Sequence, residues 1–141
     1  MSKSFFYCFC FKYLPTMSQQ GQFYRLEEDQ IIWVNQNEAC SKPNSIQKPL
    51  IIFLHTTSSS SSSFEHQMSS SFLNSKYRLM AIDFPGHGRS HKATKPDIYT
   101  IQGYAHVLNS FLTVTDVKDA VVVGWGTGGR ACESKNQILF T

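Results

Sequence analysis

The sequence is short of strong charge, of cysteine and of glycosylation acceptors, and each shortage excludes a class of protein. Thirteen Lys and Arg against ten Asp and Glu give a net charge of +3, which is too small and too scattered to favour nucleic acid or a membrane as a partner. The four cysteines, Cys8, Cys10, Cys40 and Cys132, lack the spacing of zinc ligands, so we predict free thiols and no metal. No Asn-x-Ser/Thr sequence occurs, which favours a cytoplasmic location over secretion.

The N-terminal stretch differs in character from the rest of the chain. Aromatic side chains crowd between Lys3 and Lys12. A basic start before an apolar run is typical of a signal peptide, but this run is short and aromatic, and no small-residue cleavage site follows it. It is also too short to span a bilayer. We therefore interpret residues 1–20 as a disordered or misannotated leader, with Met17 as an alternative start, and residues 21–141 as the domain.

The domain begins with strand patterns and then alternates strands with helices. Phe23–Leu26 and Ile31–Val34, joined by a polar turn, predict a hairpin, and the polar stretch Asn35–Lys48 is predicted as a loop. Continuous apolar runs, typical of buried parallel strands, then alternate with three- and four-residue helical periodicity. The predicted elements are strands at Leu50–Leu54, Arg78–Ile82 and Ala120–Val123, a short helix at Phe64–Leu73, and a longer helix capped by Thr100. This order predicts parallel neighbours with right-handed crossovers.

Each of these three strands ends in a distinctive loop. The loops are His55-Thr56-Thr57 with the low-complexity serine loop 57–63, Asp83-Phe84-Pro85-Gly86-His87-Gly88-Arg89-Ser90, and Gly124-Trp125-Gly126-Thr127-Gly128-Gly129. Together they resemble the N-terminal half of the serine hydrolases of the α/β-hydrolase fold family, over roughly Phe23 to Arg130. The resemblance implies an incomplete α/β-hydrolase fold: an N-terminal hairpin, then parallel strands with crossover helices in the order 1-2-4-3-5, ending just after the nucleophile elbow.

The resemblance also implies a site from which the reacting group is missing. The family's elbow reads Gly-x-Ser-x-Gly, and Gly126 stands at the serine position. By resemblance, Thr57 and Thr127 supply the backbone N–H groups of the oxyanion hole, and His55 belongs to the family's His-Gly loop, in which Thr56 replaces the glycine. The family's catalytic acid and histidine follow the elbow in chain order, and we find no place for them. By resemblance, Asp83 and His87 lie on the wrong loop for that role.

The expected function is therefore that of a truncated, catalytically inactive hydrolase without a cofactor. A small-molecule ester or amide is the expected substrate only if a full-length active form exists. Two other interpretations stay open. The edge Val121–Val123 could pair with another chain, because an open apolar strand invites pairing. Gly124–Gly129 also satisfies Gly-x-Gly-x-x-Gly, the pattern of a dinucleotide-binding turn, although no acidic residue about 20 positions further on completes it.

Overall fold

The structure, a computed structural model, describes residues 20–27, 30–45 and 47–133. Residues 1–19 of the predicted leader, the centre of the hairpin turn and the end of the chain after Glu133 lie outside these residues, whereas Gln20, the last residue assigned to that leader, belongs to the first strand. The described elements are β1 (Gln20–Glu27), β2 (Gln30–Gln36), α1 (Glu38–Ser41), β3 (Leu50–Leu54), α2 (Glu65–Ser69), α3 (Ser71–Lys76), β4 (Arg78–Ile82), α4 (Ile101–Val114), β5 (Val121–Gly124) and α5 (Thr127–Glu133). Short 3-10 turns cover Pro43–Ser45, Ser61–Phe64 and Pro96–Tyr99.

The five strands form one mixed sheet in the order β1-β2-β4-β3-β5, as the resemblance predicted. β1 pairs with β2, and β2 with β4, in antiparallel fashion. β3 lies between β4 and β5 and is parallel to both, with Leu54 opposite Ile82 on one side and opposite Gly124 on the other. The carboxyl ends of these three strands therefore meet at one edge of the sheet, where the three distinctive loops begin.

The alternation of side chains along the strands divides the core between the two faces of the sheet. The larger cluster contains Ile52 and Leu54 of β3 together with Val107 and Phe111 of α4. The smaller cluster joins Phe53 of β3 to Leu79 and Ala81 of β4 and to Phe64, which precedes α2. Both faces of β3 and β4 are thus covered, which explains their continuous apolar sequences.

The longest helix, α4, begins after Thr100, as its sequence predicts. The Thr100 hydroxyl accepts a hydrogen bond from the Gly103 N–H at 3.0 Å, which satisfies one of the free donors of the first turn. Leu108 and Phe111 are buried, whereas His106 is exposed and contacts Glu27 through a ring nitrogen at 2.6 Å. His106 is therefore a surface residue that links α4 to β1.

Two predicted elements are wrong in detail. The helix expected over Phe64–Leu73 is divided, because Ser70 has an extended backbone (ψ 117°) and its hydroxyl caps α3 by accepting the Leu73 N–H. Phe72, which continues the four-residue apolar spacing of Phe64 and Met68, is 61% exposed. The stretch Asn35–Lys48, expected as a loop, contains the end of β2, helix α1 and a 3-10 turn.

β5 forms one end of the sheet among the described strands. Val122 is buried, but Val121 and Val123 are 46% and 42% exposed. The smaller core cluster, which lies over β3 and β4, does not include them. Within residues 20–27, 30–45 and 47–133, no helix is long and apolar enough to cross a membrane.

Candidate functional site

The glycine-rich loop forms a sharp bend between β5 and α5. Gly126 stands at its apex with φ +57°, a left-handed conformation that glycine adopts without the penalty of other residues. The Trp125 N–H donates to the Leu54 carbonyl at 3.0 Å, so pairing with β3 continues to the bend. The Arg130 N–H donates to the Gly126 carbonyl at 3.1 Å, so the helix starts immediately after it. The chain thus passes from strand to helix within two residues.

Close packing of α5 on the end of β3 explains the glycines on either side of the apex. A Cβ on Gly128 would lie 2.4 Å from the Leu54 carbonyl oxygen and 2.7 Å from that of His55. A Cβ on Gly124 would lie 2.5 Å from the backbone of Gly128. These distances leave no room for a side chain, so the two glycines let helix and strands approach each other. Gly129 is under less constraint, with its nearest contact at 3.2 Å.

The loop after β3 reaches the bend through Thr56. Its hydroxyl oxygen accepts a hydrogen bond from the Thr127 N–H at 3.3 Å. The same oxygen lies 2.3 Å from the position that a Cβ on Gly126 would occupy. The sequence marked Thr56 as a departure from the family pattern but gave no sign of this contact, because it joins two loops that are distant in the chain.

Thr57 and Thr127, the two predicted backbone donors, lie side by side. Their hydroxyl oxygens are 2.6 Å apart, and either can be the donor. The structure therefore brings four of the five predicted or noted positions into direct contact around the bend: Thr56, Thr57, Gly126 and Thr127. His55, the fifth, is buried and is hydrogen-bonded to the Thr56 backbone.

His55 is buried, at 1% exposure, and both its ring nitrogens have partners. Nε2 accepts a hydrogen bond from the Phe84 N–H at 3.0 Å. Nδ1 therefore carries the hydrogen and donates to the Thr56 carbonyl at 2.7 Å. Burial is the main cause that lowers the pKa of His55, and the nearby His87 ring lowers it further. The neutral ring joins the loop after β3 to the loop after β4.

Asp83 organises the loop after β4 from a buried position, at 2% exposure. One carboxylate oxygen accepts the Ser61 N–H at 2.6 Å and the other accepts the Arg89 N–H at 2.9 Å. A Cβ on Gly88 would lie 2.1 Å from the carboxylate, so glycine permits this close approach. Ser61, within the serine loop, is buried and also accepts a hydrogen bond from the Asn35 side chain at 2.6 Å. That part of the serine run is therefore an ordered component of the loop.

The described residues also include two cysteine thiols and the imidazole of His87. Burial raises the pKa of the thiols of Cys40 and Cys132 to about 11 in each case, so both are protonated at neutral pH. His87 has one ring nitrogen 3.0 Å from the Pro85 carbonyl and lies beside the His55 ring, with centroids 5.1 Å apart. Across residues 20–27, 30–45 and 47–133, no cluster of three or more His, Cys, Asp or Glu is placed to hold a metal ion.

Comparison with known proteins identifies the family. Residues 49–132 match the family model of the alpha/beta hydrolase fold, and the chain belongs to this family. It is 37% identical to the uncharacterized hydrolase YugF of Bacillus subtilis (strain 168) over 70 residues, which are 50% of this chain and 25% of YugF. The predicted family is thereby confirmed.

Solved structures agree with this assignment and also confirm the predicted fold class. The chain is 30% identical to the N-acyl homoserine lactonase AidH, solved as a serine-to-glycine mutant complexed with N-hexanoyl homoserine lactone, with a TM-score of 0.67. The match covers 79% of this chain and 39% of the lactonase. The epoxide hydrolase VrEH1 from Vigna radiata shares the fold at 18% identity and a TM-score of 0.66, covering 81% of this chain and 34% of the hydrolase.

Proposed function

We propose that this chain is a catalytically silent member of the α/β-hydrolase family. The observation that carries the proposal is Gly126 at the apex of the bend, with φ +57°. The family places its nucleophilic serine at this strained position, and glycine keeps the backbone shape while removing the hydroxyl. Loss of the nucleophile of a serine triad lowers turnover by about a million-fold in well-studied hydrolases.

The neighbouring hydroxyl groups are poor replacements for the missing serine. Those of Thr57 and Thr127 are hydrogen-bonded to each other, and the Thr56 oxygen accepts the Thr127 N–H. An active threonine needs a base that takes its proton. His55 is the histidine next to them in sequence, but its only acceptor nitrogen already receives the Phe84 N–H. We therefore propose no covalent chemistry at this site.

The same family membership favours an elbow over a dinucleotide-binding turn at Gly124–Gly129. In a dinucleotide-binding turn the glycines give the pyrophosphate access to the backbone. Here Gly128 instead faces the carbonyl oxygens of Leu54 and His55. A full-length form of this protein, with a serine at position 126, a glycine at position 56 and the family's acid and histidine, would, we propose, act on an acyl ester, amide or lactone, the class to which the N-hexanoyl homoserine lactone bound by the AidH mutant belongs.

Labelling with a fluorophosphonate probe tests the proposed silence. The probe phosphonylates an activated serine or threonine hydroxyl, and intact-mass spectrometry detects the adduct on this chain even if a contaminating hydrolase is present. We expect no change in mass after prolonged incubation, while a known serine hydrolase in the same tube is labelled completely. An adduct located by peptide sequencing on Thr56, Thr57 or Thr127 would overturn the proposal and identify the nucleophile.

A second candidate function is association through the edge strand β5. Val121 and Val123 are both about half exposed and lie in the strand that ends the described sheet. An apolar strand edge favours pairing with another strand. We propose a second copy of this chain as the occupant, because two identical edges can pair across a two-fold axis.

The oligomeric state tests this association. Size-exclusion chromatography with light scattering is expected to show a dimer that dissociates on dilution. Val123→Lys places a charge at the edge and is expected to give a monomer at every concentration. Val114→Lys is the matched control, since Val114 is 52% exposed but lies on α4. A wild-type monomer at all concentrations would exclude self-association, as would equal effects of both substitutions.

A further inference from the structure

The space beside Gly126 is already filled by another part of the chain. A Cβ added to Gly126 would lie 2.3 Å from the Thr56 hydroxyl oxygen and 2.9 Å from the Thr56 Cβ. Carbon and oxygen atoms that are not bonded to each other do not approach so closely. A side chain at position 126 therefore requires Thr56 to move, and Thr56 has only one side-chain torsion with which to do so.

The Thr56 hydroxyl also forms a hydrogen bond with the backbone N–H that follows the bend. It accepts the Thr127 N–H at 3.3 Å, which is the N–H that the family directs toward the substrate oxygen. A hydroxyl oxygen is a good acceptor for this group, so the donor is satisfied within the protein. The Thr56 side chain thus occupies the space beside position 126 and also binds the N–H of Thr127.

We infer that positions 56 and 126 are coupled. The Thr56 side chain occupies the space beside position 126 and binds the next backbone N–H, so a chain with Thr56 requires glycine at position 126. The neighbouring Thr57 does not share this role. Its hydroxyl contacts the Thr127 side chain. The three atoms nearest to a Cβ on Gly126 all belong to Thr56 and none to Thr57. The proposal rests on the proposed function only in taking position 126 as the place of the nucleophile.

A double-mutant cycle on thermal stability tests the coupling. Gly126→Ala adds only the Cβ, and we expect it to lower the Tm by roughly 5–15 °C when Thr56 is present. After Thr56→Gly the same change is expected to lower the Tm by less than about half as much, because only the left-handed strain at position 126 remains. That strain is present in both backgrounds and cancels in the cycle.

Thr57→Gly provides the matched control. It removes an adjacent threonine side chain from the same loop, so it reproduces the loss of a side chain and the added flexibility without vacating the space beside Gly126. We expect Thr57→Gly and Gly126→Ala to be additive. In ¹H–¹⁵N spectra, Thr56→Val, which keeps the shape but lacks the acceptor, is expected to shift the Thr127 amide resonance.

Additive effects of Thr56→Gly and Gly126→Ala would overturn the inference. If Gly126→Ala alone does not fold, recovery of folded protein by Thr56→Gly supports it, and failure in both backgrounds contradicts it. These results are independent of the probe experiment. A probe adduct would refute catalytic silence without affecting the coupling, and additivity would refute the coupling without restoring catalysis.

Discussion

The Asp83 carboxylate is expected to be one of the most important single groups for stability. Asp83→Ala leaves the Ser61 N–H without its acceptor in a buried position and removes the acceptor of the Arg89 N–H, a residue that is exposed. An unsatisfied buried donor costs about 1–3 kcal/mol, and bonds to a charged group lie at the upper end of the range. Because water can reach Arg89, we expect a total loss of about 2–4 kcal/mol, a large part of the typical stability of a domain.

Urea unfolding followed by circular dichroism measures this loss. Asp83→Asn keeps one acceptor oxygen but turns an NH₂ group toward an N–H donor, so we expect its loss of stability to be intermediate. Asp119→Ala, on the exposed segment before β5, is the control and is expected to change the unfolding free energy by less than about 0.5 kcal/mol. If Asp83→Ala is no more harmful than this control, the carboxylate does not organise the loop.

Three further substitutions test the site through neighbouring groups. The lowered pKa of His55 means that the unfolded chain binds a proton first, so stability is lost as the pH falls below about 6.5, by at most about 1.4 kcal/mol per pH unit. We expect the unfolding free energy of His55→Gln, measured at several pH values, to lack this pH-dependent loss, and that of His66→Gln, a change at an exposed histidine, to keep it. Equal slopes of unfolding free energy against pH in the two variants would contradict the prediction. Gly128→Ala is expected to cost about 1–3 kcal/mol or more by overpacking, whereas Gly129→Ala is expected to be far milder in the same assay, and the reverse order would refute the close approach of α5 to β3. Ser58→Gly is expected to raise stability by about 1 kcal/mol, since Ser58 has φ +62°, and a decrease would show that its side chain matters more than this strain.

The elements that could be predicted correctly from the sequence are those whose residue pattern matches their burial in the fold. Leu50–Leu54 and Leu79–Ile82 are continuous apolar runs because both faces of these strands are covered, and Thr100 caps α4 by a contact within its own first turn. The divided helix was missed because the apolar spacing of Phe64, Met68 and Phe72 continues through Ser70. The serine hydroxyl competes for the backbone there and starts a new helix instead.

The stretch after β2 was mistaken for a loop for a different reason. Its composition is polar, but the Asn37 side chain accepts the Leu79 N–H at 3.0 Å and donates to the Tyr77 carbonyl at 3.0 Å. These hydrogen bonds hold the segment against β4, and α1 forms directly after Asn37. A contact between residues so distant in sequence has no local signature.

The candidate site shows the same division between local and distant information. The bend at Gly126 could be located from the sequence because the glycines and the preceding strand are contiguous. The contact between Thr56 and Gly126 could not, since it depends on the parallel register that sets Leu54 beside Gly124. Only the pairing of β3 with β5 brings the two loops within reach.

The 2.3 Å separation between the Thr56 oxygen and a Cβ added to Gly126 also has a consequence for any attempt to build a serine elbow in this chain. The resemblance aligns Thr56 with a glycine and Gly126 with the nucleophilic serine of the family. A chain that held both the threonine and the serine would be crowded at this bend. On the proposed function, the single change Gly126→Ser is therefore not enough to rebuild the elbow, and position 56 must change with it.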